Sequence, residues 1–78
     1  MTSETEALER QRILLLIQRD GRAAAHAWVE RTRKLYAEAA ASPHSHASLP
    51  QYRAEFEASI RVFDAFLQDP TRFEANLQ

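Results

Sequence analysis

Five consecutive aliphatic residues, Ile13-Leu14-Leu15-Leu16-Ile17, sit in a 78-residue chain whose flanking residues there are polar and read as helical. At about 100° per residue, five successive side chains point all the way round a helix. A helix on the outside of a small monomer buries one stripe only. This segment therefore calls for neighbours on more than one side, either other helices of the same chain or a second copy of it. The feature concerns assembly rather than chemistry.

A chain of this length makes one domain, residues 1–78, and buries too little surface to be more than marginally stable alone. Cysteine is absent, so disulfides and thiolate metal sites are excluded. Self-association and well-made helix packing remain as sources of stability. Met1 is followed by Thr2, Ser3, Glu4, Thr5 and Glu6, which is neither a basic nor an apolar leader. The longest apolar run is five residues, against roughly 20 for a membrane span. The expectation is a soluble, cytoplasmic protein.

The pattern predicts an all-α fold. Ser3-x-x-Glu6 matches a capping box and opens a first helix that runs to about Arg19. Asp20-Gly21 breaks it, with Gly21 as a left-handed stop and Asp20 placed to cap the next helix. A second helix spans about 21–41. Its apolar arc holds Ala24, Ala25, Trp28, Val29, Thr32, Leu35, Tyr36, Ala39 and Ala40. Pro43 stops it, and residues 42–48 form a loop. Ser48-x-x-Gln51 is a second capping box, with Pro50 tolerated in the first turn. A third helix, about 49–68, carries one stripe of Tyr52, Phe56, Ser59, Ile60, Phe63, Phe66 and Leu67. Asp69-Pro70 ends it and leads into a last short turn with Phe73 and Leu77. The predicted architecture is a three-helix up-down-up bundle with a short C-terminal helical turn, assembled as a homo-oligomer.

Motifs for chemistry are sparse. His44-Ser45-His46 presents two metal-ligating nitrogens, with His26 as a possible third, where zinc needs three or four fixed ligands. Two solvated loop histidines are the simpler reading. Residues 10–34 hold Arg10, Arg12, Arg19, Arg22, Arg31, Arg33 and Lys34 against Asp20 and Glu30, while both flanks are acidic. That polarity suits an anionic partner or charge matching between helices and subunits. The basic residues spread over a polar helix face with Glu30 among them, which reads as solvated surface rather than a phosphate track. Glu4/Glu6 and Glu55/Glu57 are i,i+2 pairs that diverge on a helix, so neither makes an acid–base site. Gly21 is the only glycine, so there is no phosphate-cradling loop. Ser59, in the apolar stripe of the third helix, is expected to bond back to its own helix. No enzymatic activity and no cofactor are expected.

The leading functional reading is a protein–protein interaction module that pairs with itself, a dimer first. Ile13, Leu14 and Ile17 form the expected seam, aided by Trp28 and Val29. Trp28 and Tyr36 read as core, or as interface anchors with a wet polar tip. Two alternatives stand beside it: a nucleic-acid-associated regulator using the basic 10–34 segment, and a metal-binding protein using His44 and His46.

Overall fold

The computed structural model describes residues 4–43 and 49–75, which form four helices: α1 (Glu4–Asp20), α2 (Arg22–Ala41), α3 (Pro50–Gln68) and α4 (Pro70–Ala75). No strand occurs among the described residues. The observed helix ends lie within a residue of those read from capping and breaker signals. Ser3, Ser48 and Leu77 lie outside the described residues, as do His44 and His46. The N-cap of α3 is Leu49, which makes no side-chain cap bond, and Pro50 occupies the first helical position. Ser42 closes α2 in an extended conformation, as the following Pro43 requires, and its amide donates to the Ala39 and Glu38 carbonyls. Asp69 caps α4: its Oδ1 accepts from the Arg72 amide at 3.1 Å.

The α1–α2 corner works differently from the expected left-handed stop. Gly21 has φ 95° and ψ 164°, an extended conformation of positive φ that is nearly closed to residues with a Cβ. Its amide donates to the Ile17 carbonyl at 2.9 Å, and its own carbonyl accepts from Ala25 at 3.1 Å. One residue thus ends one helix and begins the next. Gly21 itself is the N-cap of α2, without a side-chain cap bond, and the Asp20 carboxylate is engaged by Arg19 instead.

The first three helices each pack against the other two, and α4 packs on α3. The core comprises Ile13 of α1, Ala25 and Val29 of α2, Val62, Phe63 and Phe66 of α3, and Phe73 of α4. Leu16, Ile17, Trp28, Tyr36 and Leu67 cover it. Phe63 takes the edge of Trp28 at 5.9 Å and lies 5.5 Å from Tyr36, while Phe66 meets Phe73 edge-on at 5.4 Å. Such offset and perpendicular arrangements align positive ring edges with negative faces.

The central element is therefore α3, not α1. It buries Ala58, Ser59, Val62, Phe63 and Phe66, whereas α1 buries Glu9 and Ile13. The buried face of α3 takes in Ala58 and Val62, which the one-stripe reading left out, because α1, α2 and α4 all pack on this helix. Two expected core positions lie outward: Leu35 is 62% exposed and Tyr52 43%. Ala24 is exposed as well. The α2 arc was drawn wider than the contact surface its two neighbours provide.

Two outcomes are expected. Phe63→Ala removes about 3–5 kcal/mol, enough to unfold most of a small domain, whereas Leu35→Ala changes stability by less than about 0.5 kcal/mol; urea denaturation followed by circular dichroism measures both. Gly21→Ala costs about 1–3 kcal/mol through backbone strain alone. A Cβ there meets nothing within 4 Å, so smaller side chains have no steric advantage and Gly21→Ser should cost about the same by thermal denaturation.

Candidate functional site

The apolar run of α1 divides between two faces. Ile13 is fully buried, and Leu16 and Ile17 pack against the core. Leu14 is half-buried, and Leu15 is 56% exposed. One side of α1, through Thr5, Glu9, Ile13 and Leu16/Ile17 at spacings of four and three, faces the other helices. The opposite side carries Glu4, Leu8, Gln11, Leu15 and Gln18, all exposed and at spacings of four and three. Leu8 is 58% exposed. Leu8, Gln11, Leu15 and Gln18, with Arg12, Leu16 and Arg19, line an open groove along the outer surface of α1.

The predicted seam is accordingly split. Ile13 and Val29 are fully buried in the chain's own core and have no surface to give a second chain. A five-residue run cannot show which of its members faces inward, which is why Ile13 read as seam, and the broad apolar arc of α2 left the same ambiguity for Val29. Leu14 and Ile17 are half-buried, and Trp28 is half-buried against Phe63 with Arg12 stacked 5.8 Å from its ring centroid. Leu8 was missed by sequence reasoning. Its signal was the seven-residue spacing to Leu15, two helical turns along one face.

Five of the seven cations in the basic segment are held by carboxylates of this chain. Arg10 pairs with Glu6, Arg12 with Glu9, and Arg19 with Asp20. Arg22 forks onto Glu74 with two bonds of 2.8 Å, and Arg33 holds Asp64. Arg31 and Lys34 have no acidic partner within 4 Å among the described residues. Arg61 of α3 holds Glu6 at 2.9 Å, and Arg53 donates to the Ala40 carbonyl at 3.3 Å. The basic middle and acidic flanks thus match each other largely within one chain. His26 Nδ1 lies 2.7 Å from Glu30 Oε1. Among the described residues no group of three metal-ligating side chains converges.

A second feature lies between α1 and α3. Ser59 does not bond back to its own helix: its hydroxyl donates to Glu9 Oε1 at 3.3 Å. Arg12 Nη1 lies 3.5 Å from the same oxygen. Glu9 is 6% exposed, and its Oε2 has no hydrogen-bond partner. A buried acceptor left unpaired costs about 1–3 kcal/mol, more when charged. Beside it is a crevice of about 180 Å³ lined by Thr5, Glu9, Tyr36, Glu55, Phe56 and Ser59. Sequence reasoning missed Glu9; its position four residues before Ile13 places both on the inward face.

The hydrogen bond from Arg22 holds the Glu74 carboxyl below its ordinary range, the charge attraction adding to it, and the same contact raises Arg22. A carboxyl lowered in the folded state contributes stability at neutral pH, which is lost as pH falls through its folded value. Glu74→Gln is therefore expected to lower the urea midpoint at neutral pH. The difference from the parent chain should begin to shrink near the ordinary carboxylate value of about 4 and vanish only in medium more acidic than the lowered folded value.

No helix among the described residues is long and apolar enough to cross a membrane. Comparison with known protein families, with characterised proteins and with solved structures finds no match to this chain.

Proposed function

We propose that this protein is a small helical assembly module, an up-down-up bundle with a short C-terminal helical turn, that binds a second copy of itself through the outer face of α1. The observation that carries this reading is the pair Leu8 and Leu15, each more than half exposed, one heptad apart on a face that no other helix covers. A symmetric antiparallel pairing of two α1 helices about a point between Gln11 and Arg12 sets Leu8 of each copy against Leu15 of the other. The same register sets Glu4 against Arg19 across the seam, where the exposed Arg19–Asp20 pair would be shared with or exchanged for Glu4. Glu4 and Arg19 are both exposed, and both stand where opposite charge meets at the ends of the stripe. The helix dipoles are then antiparallel as well.

The interface is modest. Completing the burial of each leucine contributes about 1 kcal/mol or slightly more, against an association cost of several kcal/mol. The dimer is therefore weak and reversible, populated where local concentration is high. With five cations already paired within the chain, the nucleic-acid reading has little charge left to act through. The His44/His46 metal reading falls outside the described residues.

Sedimentation equilibrium from micromolar to submillimolar concentration tests the proposal. The expected result is a reversible monomer–dimer equilibrium. Leu15→Glu should leave a monomer at every concentration with unchanged helicity. Glu4→Arg and Arg19→Glu should each weaken the dimer, and the double swap should restore it. A monomer across the whole range overturns the proposal. A dimer unaffected by Leu15→Glu places the seam elsewhere.

A further inference from the structure

We infer that the crevice beside Glu9 is a binding site for a small primary ammonium ion, such as a short alkylamine in its protonated form. The site lies on the inward side of α1 and does not depend on self-association. Three helices build it: Thr5 and Glu9 come from α1, Tyr36 from α2, and Glu55, Phe56 and Ser59 from α3.

The inference starts from Glu9 Oε2. In folded proteins nearly every buried polar atom is hydrogen-bonded, and an orphan calls for an explanation. An ionised carboxylate only accepts, so the missing group must be a donor. Arg12 and Ser59 both approach Oε1, and Arg12 is also stacked on Trp28. The remaining oxygen is left to a group from outside the chain.

The lining gives the character of that group. Two of the six lining residues are carboxylates, three carry hydroxyls, and none is cationic. An anion would face two carboxylates with no cation in the lining to offset them. Tyr36 and Phe56 stand edge-to-face with centroids 4.8 Å apart, providing ring surface for a short alkyl chain and for cation–π attraction. A crevice of about 180 Å³ is sized for a small ligand or one small group. An ammonium head supplies the donor that Glu9 Oε2 lacks and adds positive charge beside Glu9 and Glu55, and its hydrocarbon tail suits the aromatic wall.

The test is an NMR titration of the ¹⁵N-labelled full chain with n-butylammonium chloride, with 1-butanol as the neutral analogue and sodium chloride at matched ionic strength. Saturable shifts centred on the amides of Glu9, Tyr36 and Ser59 are expected, with none from 1-butanol or sodium chloride. Glu9→Gln should weaken binding roughly tenfold or more, the size of one charge-assisted hydrogen bond. Glu55→Gln, at an exposed position that the fold tolerates, should weaken it severalfold, and Glu57→Gln, outside the crevice, should not change it. The inference is overturned if no saturable shift occurs, if 1-butanol acts equally well, or if shifts spread over all exposed carboxylates. It is equally overturned if neither Glu9→Gln nor Glu55→Gln weakens the response; a water molecule would then suffice to complete Glu9.

Discussion

Burial of the Phe63 and Phe66 rings is the interaction on which the rest of the structure depends. Both are fully removed from solvent, and both sit on α3, which packs against all three other helices. Phe63 meets α2 through Trp28 and Tyr36; Phe66 meets α4 through Phe73 and α2 through His26, 6.0 Å away. Two large side chains one helical turn apart thus define where α2 and α4 must lie. A domain of this size has few such contacts to spare, because its surface is large for its volume.

Around that core the ion pairs tie helices distant in sequence. Arg22 of α2 holds Glu74 of α4, Arg33 of α2 holds Asp64 of α3, and Arg61 of α3 holds Glu6 of α1. Each exposed pair is individually weak. Their shared effect is on register: a slip of one helix relative to another would leave several charges facing nothing. The buried Glu9–Ser59 contact acts the same way between α1 and α3, with a larger penalty for misalignment because both side chains are almost wholly buried.

α1 is the helix whose two sides differ most in purpose. Its inner side contributes Ile13 to the core and brings Glu9 to the crevice; its outer side presents Leu8 and Leu15 to solvent. Assembly and ligand binding, as proposed, would use opposite sides of one helix, so each can be altered by substitution without touching the other. The helix is joined to α2 by Gly21 alone.

The all-helical class, the approximate helix boundaries, the position of the break at Gly21 and the Phe63–Phe66 part of the α3 stripe were legible in the sequence, because local periodicity and glycine and proline breaks act over a few residues at a time. The five-residue run Ile13–Ile17 announced that α1 is apolar beyond one stripe. It could not say which side faces inward, since a full turn of aliphatic residues carries no phase. That phase came from tertiary packing: Ile13 met the aromatic core and Leu15 did not. The pairing of Glu9 with Ser59, fifty residues apart, and of Arg22, Arg33 and Arg61 with carboxylates of other helices was likewise decided only by the fold. Charge and polarity are written residue by residue, but a partner is set by distance in space.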